Sequence, residues 1–376
     1  MRIAIFTDTF SPQINGVTKT INRLLEYYES RGIEYIVFAP DFEDKDEEDS
    51  ENVIRFKSHS FIFYRECRLS NPKYSVVEKM VDDFNPDLIH IITEYTIGRV
   101  GRKYAKKKNV PCATTYETDI PLYLKYYHAS FLKGLAWVLY RHFHNVSDCT
   151  FTPSHYTQKR IESKGFTNVE TWERGIELEN FSPDFRDESW RKELGIDDKI
   201  VFLYVGRISP EKHVHIYIDA AKKINEKYMD KVHFLMVGGG PSDKEMREKA
   251  PDNMTFLGYL KGDELSKAYA SSDVFLFPSP TETLGFVVLE AMASGLPVIC
   301  CEEGGVSDSV IVGENGYLCR KANVDDFVES ACKFIEQPED ISKMGKVSRR
   351  VASTKSWKNG FDKLYDSYER IIESKK

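Results

Sequence analysis

Short apolar runs alternate with helix-period segments along nearly the whole chain, and this alternation restricts the fold more than any other feature. In the first half the runs Arg2–Thr7, Tyr35–Ala39, Val53–Phe56, Leu88–Ile92, Cys112–Thr115, Thr150–Thr152 and Asn168–Trp172 read as strands. In the second half they are Ile200–Val205, His233–Val237, Met254–Leu257, Val274–Phe277, Pro297–Cys300 and Gly316–Leu318. Most are continuous Val/Ile/Leu/Phe stretches, as strands buried on both faces are. Helical patterns such as Val17–Ser30 and Ile97–Lys108 separate them. Alternating strands and helices predict a parallel, doubly wound α/β sheet in each half.

A length of 376 residues suits two such domains better than one. The polar stretch FSPDFRDESWRKELGIDD (Phe181–Asp198) reads as the boundary. The expected division is a first domain over 1–183, a linker over 184–198 and a second domain over 199–355. The amphipathic segment Ser356–Ile372, carrying Trp357, Phe361, Leu364, Tyr365 and Tyr368, is free either to finish the second domain or to cross back to the first.

Composition removes several classes. No apolar run approaches the ~20 residues of a membrane-spanning helix, and MRIAIFTDTF enters a strand pattern without the regions of a signal peptide. A cytoplasmic protein is expected, with peripheral contact at a membrane's inner face left open. The seven cysteines (67, 112, 149, 300, 301, 319 and 332) form no CxxC pair and no zinc spacing, so they read as reduced thiols. A net charge of -7 argues against nucleic acid as a partner. Asp41–Glu51, with eight carboxylates and one lysine, reads as a solvated loop.

Three segments carry chemistry. The first strand–helix connection, TDTFSPQINGVTKT, places Gly16 before a helix whose N-terminus can receive an anion, or where a turn simply needs a glycine. It is not GxGxxG, so the nicotinamide-dehydrogenase fingerprint is missing. Arg207 follows the strand Val201–Gly206, and Lys212 comes five residues later at a helix start. A planar fork and a point charge at a strand's carboxyl end suit a diphosphate. The third segment is PSPTETLGFVVLEAMASGLPVI, Pro278–Ile299, with Glu282 and Glu290 eight residues apart. A helix there would separate them by roughly 10 Å. The backbone N–H groups of Leu284, Gly285 and Phe286 would meet an anion between the two carboxylates.

TETLGFVVLEAMASGLPVI resembles the donor-site signature of glycosyltransferase family 4. VGRISPEK (Val205–Lys212) resembles that family's diphosphate motif, FTDTFSPQINGVTKTI its N-terminal glycine loop, RGIELENFSP (Arg174–Pro183) its interdomain segment and Gly258–Leu260 its base-contacting loop. The likeness covers almost the entire chain. It is nearest to the GDP-mannose-dependent mannosyltransferases and the diacylglycerol and sulfoquinovosyl glycosyltransferases. The resemblance implies a GT-B fold, two Rossmann-like domains with an interdomain cleft that closes, and retaining transfer of a hexose from a nucleoside-diphosphate sugar to a hydroxyl acceptor. It assigns donor-sugar hydroxyls to Glu282 and the ribose to Glu290. The diphosphate falls to Arg207 and Lys212, with Gly16, Thr283, Leu284, Gly285 and Phe286 around the donor, and the base to the backbone at Tyr259 and Leu260. The nucleotide sugar is a co-substrate, and no metal or other cofactor is expected.

One position departs from the subgroup. In TTYETDIPLYLKYY, Glu117 stands where relatives usually carry a histidine, and a carboxylate donates no hydrogen bond unless protonated. Asp119 is an alternative polar contact, or a helix cap before Pro121. Glu94, just past a strand, is a further cleft candidate, whereas His90 lies inside an apolar run and reads as a core histidine. On the acceptor side, Pro121–Asn145 interleaves aromatics with Lys125, Lys133 and Arg141, and GRKYAKKK (Gly101–Lys108) is basic. These segments suit an anionic membrane carrying a lipid-linked acceptor, or equally an aromatic core with its cations in water. Two further classes stay in view: a nucleotide-sugar-binding protein without transferase activity, with Glu117 marking the loss, and a GT-B epimerase. GDP-mannose and UDP-hexoses both fit the donor frame.

Overall fold

The computed structural model describes residues 1–13, 15–42, 50–61, 64–126 and 129–376. Most of the acidic stretch, 43–49, therefore lies outside the described residues. The chain divides into two units. The first comprises Met1–Pro121, Phe131–Arg174 and Trp357–Lys376; the second comprises Leu122–Ser130 and Gly175–Ser356.

The first unit is built on β1 (Arg2–Phe6), β2 (Glu34–Pro40), β3 (Val53–Phe56), β6 (Leu88–Ile91), β7 (Cys112–Thr115), β8 (Cys149–Thr152) and β9 (Val169–Thr171). They form one parallel sheet in the order β3-β2-β1-β6-β7-β8-β9. Between β3 and β6 lies an antiparallel pair outside the main sheet, β4 (Ser58–Phe61) and β5 (Tyr64–Ser70). The apolar-run reading missed it because SHSF and YRECRLS are too polar to register as buried strands.

The second unit carries β10 (Ile200–Val205), β11 (Val232–Val237), β12 (Met254–Gly258), β13 (Val274–Phe277), β14 (Val298–Cys301) and β15 (Gly316–Cys319). All are parallel, in the order β12-β11-β10-β13-β14-β15. Both sheets thus have the doubly wound arrangement, with helical crossovers packing on both faces. Phe202, Leu203, Phe234, Leu235, Phe275 and Leu276 are fully buried as a result. Each such side chain contributes about 1.5–3 kcal/mol relative to exposure. Cys112, Cys149, Cys300, Cys301 and Cys319 are buried free thiols.

The expected linker is not one. Residues 184–198 fold into the second unit, and the break between units falls after Arg174. The charges that suggested a solvated linker are used internally. Asp187 accepts from the N–H groups of Ser189 and Trp190, both at 3.0 Å, and so caps the helix Glu188–Glu193. Arg191 is buried, donates to the carbonyls of Ser271 (2.7 Å), Ile196 (3.0 Å) and Lys199 (2.8 Å), and pairs with Asp273 at 3.2 Å.

The last helix, Trp357–Glu373, belongs to the first unit. Its Phe361, Leu364, Tyr368 and Ile371 join the core containing Ile3, Ile5, Tyr28 and Trp172. The Tyr368 hydroxyl meets His90 Nδ1 at 2.6 Å and the Tyr28 hydroxyl at 3.1 Å. His90 is fully buried, with Nε2 on Thr115 Oγ1 at 2.7 Å, and burial pushes its pKa down to about 3. It is the neutral core histidine its apolar setting implies.

At the carboxyl edge of the second sheet two backbones nearly touch. Gly238 follows β11 with φ +124°, and a Cβ there would sit 2.0 Å from the Gly206 carbonyl oxygen. Gly238→Ala is expected to destabilise the protein by about 2 kcal/mol or more through strain and overlap. Its thermal midpoint should fall by roughly 4–8 °C. Calorimetry of the variant checks this, and an unchanged melting curve would show that the edge relaxes freely.

Candidate functional site

In open α/β sheets, ligands bind beyond the carboxyl ends of the strands where the strand order reverses. In the second unit that point lies between β10 and β13. Arg207 and Lys212 follow β10, and Glu282 follows β13. The polypeptide after β10 is held by backbone bonds from Gly206 N to Val237 O (3.0 Å) and from Ile208 N to Gly239 O (2.9 Å). It then makes a short 3₁₀ turn, Pro210–Lys212, before the helix Val214–Tyr228.

Lys212 Nζ meets Glu282 Oε1 at 2.5 Å, with both side chains 15% exposed. Burial opposes the ammonium, but the Glu282 carboxylate outweighs it and holds the Lys212 pKa above its ordinary value. The same Glu282 oxygen accepts from Ser279 Oγ at 2.9 Å. Glu282 precedes the helix Phe286–Ala293 rather than lying on it. Gly285 caps that helix at φ +87°, and a Cβ there would come within 2.3 Å of Val306. Gly285 adds no side-chain cap to that helix, whose N-terminal end, the positive end of its dipole, lies beside Glu282.

Glu290 lies on the same helix, 8% exposed, and accepts from the Tyr269 hydroxyl at 3.1 Å. Tyr259 is 74% exposed, and its ring lies against Gly239. Leu260 follows it, partly buried. Lys125 lies in the Leu122–Ser130 segment of the second unit, near His213, rather than with the other first-half candidates.

The reversal in the first sheet lies between β1 and β6. Asp8, after β1, accepts from Thr96 Oγ1 (2.6 Å), Ile97 N (2.7 Å), Gly98 N (3.2 Å) and Thr93 Oγ1 (3.2 Å), and so caps the helix Thr96–Lys108. Burial raises its pKa against the pull of those bonds. Gly16 opens the helix Gly16–Arg31, where the Asn15 side chain caps Thr18 N at 2.9 Å.

Glu94, after β6, is buried, and burial pushes its carboxyl up to about 8. The Tyr140 hydroxyl opposes the rise, while the carboxylates of Asp8 and Glu117 add to it. Glu117 pairs with Arg174 at 2.6 Å, their side chains 9% and 1% exposed. The Arg174 guanidinium stacks on Trp172 at 3.4 Å from the ring centroid and donates to the Trp172 carbonyl at 2.8 Å. Asp119 is buried and pairs with Arg160 at 2.5 Å.

Residues 14–180 match the family described as Glycosyltransferase Family 4, and residues 186–351 match Glycosyl transferases group 1. A GDP-mannose-dependent alpha-mannosyltransferase of Mycobacterium tuberculosis is 31% identical over 99% of this chain and 97% of its own length. The chain belongs to glycosyltransferase family 4. A sulfoquinovosyl transferase of Arabidopsis thaliana is 32% identical over 96% of this chain and 72% of the relative. The fold matches sucrose-phosphate synthase of Thermosynechococcus elongatus with a TM-score of 0.80 over 99% of each chain, at 20% identity, which makes it GT-B. As a family 4 glycosyltransferase, the protein transfers a sugar from a nucleoside-diphosphate donor to an acceptor.

Within the second unit the structure joins Lys212 to Glu282 and sets Gly285 beside them, while Glu290 sits with Tyr269. Sequence reasoning missed several members of this transferase's second unit. Tyr123 is near Lys212, Glu282 and Glu211, within hydrogen-bond reach of Thr281. Tyr126 meets His213, and Ser279 supports Glu282. The i, i+3 tyrosines of PLYLKYY were the available signal.

Glu94 predicts a pH dependence. Its folded pKa of about 8 lies above the unfolded value of 4.5, so the folded state keeps a proton that the unfolded state releases between those limits. Stability from this group is full below about pH 4.5 and is lost as pH rises toward 8, by up to a few kcal/mol. Glu94→Gln should therefore gain stability over wild type as pH rises across that window. Urea denaturation at pH 5 and pH 8 checks it; an equal difference at both values contradicts it.

Proposed function

We propose that the chain transfers a hexose, with retention, from GDP-mannose or a UDP-hexose to a hydroxyl of a membrane glycolipid acceptor. The observation that carries the donor half is the Lys212–Glu282 pair beside the Gly285-capped helix mouth. In this reading Arg207, Lys212 and the helix mouth take up the negative charge that grows on the departing diphosphate, often the largest catalytic term. Glu282 holds hydroxyls of the donor sugar and Glu290 the ribose, while the backbone at Thr283, Leu284, Tyr259 and Leu260 follows the rest of the donor. The phosphate oxygen that leaves accepts the proton of the attacking hydroxyl. Within the first unit, Glu94 and Asp119 are the candidates for holding the acceptor, Glu117 for catalysis and Gly16 for the donor. The relatives named for GDP-mannose, sulfoquinovosyl and alpha-monoglucosyldiacylglycerol chemistry support this class of donor and acceptor.

The acceptor half is supported by one surface of the first unit. In and beside the helix Lys133–His144, Trp137 and Tyr140 face inward onto Tyr116, Ile161 and Phe166. Outward lie Phe131 (82% exposed), Leu135 (56%), Val138 and Leu139 (51% each). Lys133 and Arg141 are exposed on the same helix. A helix apolar on its outer face and flanked by cations suits the interface of an anionic bilayer. The helix Thr96–Lys108 contributes less than its lysine count suggests, because Lys107 and Lys108 are paired with Glu78 and Asp82 at 2.8 Å. Among the described residues no helix is long and apolar enough to cross a membrane.

Lys212→Ala and Glu282→Gln should each lower transfer by about 100-fold or more, with cooperative unfolding retained. Product assays with GDP-mannose and UDP-glucose read this, and full turnover in both variants would remove the donor assignment. The protein should float with phosphatidylglycerol vesicles at low salt, and the Leu135→Asp/Leu139→Asp double variant should not. Equal flotation of the two proteins would count against this face.

A further inference from the structure

The segment Leu122–Ser130 comes from between two stretches of the first unit, yet it packs within the second. It is folded on itself by bonds from Tyr126 N to Tyr123 O (2.8 Å) and from Ala129 N to Leu124 O (2.9 Å). It brings two tyrosines to the loop that carries Lys212. The Tyr123 hydroxyl is near Lys212 and Glu282 and within reach of Thr281, whose own hydroxyl donates to the Glu211 carbonyl at 3.2 Å. Tyr126 Oη meets His213 Nε2 at 3.0 Å, their rings edge to face at 5.6 Å.

His213 is unusual in itself. It follows Lys212 directly and joins the 3₁₀ turn to the helix Val214–Tyr228 at φ +52°, a conformation that favours glycine. Its side chain is buried, and Nδ1 has no hydrogen-bond partner among the described residues. A histidine is a poor choice here for folding alone: it strains the backbone and leaves a buried nitrogen unsatisfied. Its one polar return is the bond to Tyr126.

We propose that Tyr126 and His213 form a clasp that positions Lys212 for the nucleoside diphosphate, with Tyr123 as the second tooth against Thr281. Both are positioning residues acting through Lys212. The inference rests on the donor assignment made above for Lys212 and Glu282. The clasp also gives a reason for the route of the chain: Leu122–Ser130 leaves the first unit's fold in order to brace the second unit's donor loop.

The test is calorimetric titration of the full chain with GDP and with UDP. His213→Gly and Tyr126→Phe should each weaken the tighter nucleotide about tenfold. The double variant should be no weaker than either single one, because the two residues act as one unit. His213→Gln, which keeps a hydrogen-bonding group at similar reach, should bind within about twofold of wild type. His213→Gly should melt no lower than wild type, since glycine takes the positive φ without strain. A merely structural histidine would instead lower the melting point and the affinity together, and that result overturns the clasp. So do multiplicative losses in the double variant, or normal binding by His213→Gly and Tyr126→Phe while Lys212→Ala binds poorly. If Lys212→Ala also binds like wild type, the donor assignment itself fails, and the clasp with it.

Discussion

Both halves of the chain obey one constraint: a parallel sheet buried on two faces can be built only with crossover connections, so every strand ends at the same edge. In the second unit this gathers the connections after β10 and β13 on either side of the strand-order reversal, carrying Arg207, Lys212 and Glu282. In the first unit it gathers those after β1 and β6, carrying Asp8, Gly16 and Glu94. The hydrophobic pattern thus fixes where polar chemistry can be displayed before any polar residue is considered.

The two units handle charge at that edge differently. In the first, most buried carboxylates have fixed partners: Asp8 takes a helix N-terminus, Glu117 takes Arg174 and Asp119 takes Arg160. Breaking a buried pair of this kind costs about 3–5 kcal/mol, so these groups are committed to structure as well as to any ligand. Glu94 differs in facing a neutral hydroxyl, and its carboxyl stays protonated into the neutral range. In the second unit, the Lys212–Glu282 pair retains some solvent access beside a helix mouth, an arrangement able to exchange partners.

Legibility from sequence followed burial. All thirteen apolar runs became strands within a residue or two, most of them because a strand buried on both faces leaves a one-dimensional signature. The polar β4–β5 pair left none. The stretch 184–198 misled because charge density resembles solvation, and only the fold reveals that Arg191 satisfies three carbonyls internally. That Lys212, Glu282 and Gly285 lie together was legible because motif and topology agree on it. The partner of Glu117 was not, since Arg174 lies far away in sequence and comes close only when Trp172 stacks beneath it. His213 was invisible for the same reason: its meaning is a contact with Tyr126, and contacts between distant segments have no period.

The closing helix Trp357–Glu373 has a consequence for biosynthesis. The core around Ile3, Ile5 and Tyr28 contains Phe361, Leu364 and Tyr368, so strands made early wait for a helix made late. The second unit's sheet, from β10 to β15, emerges entirely before that helix does. On the ribosome the order of completion is therefore inverted: the later-synthesised unit can mature while the earlier one still exposes a greasy flank, sealed only once Trp357–Glu373 has emerged.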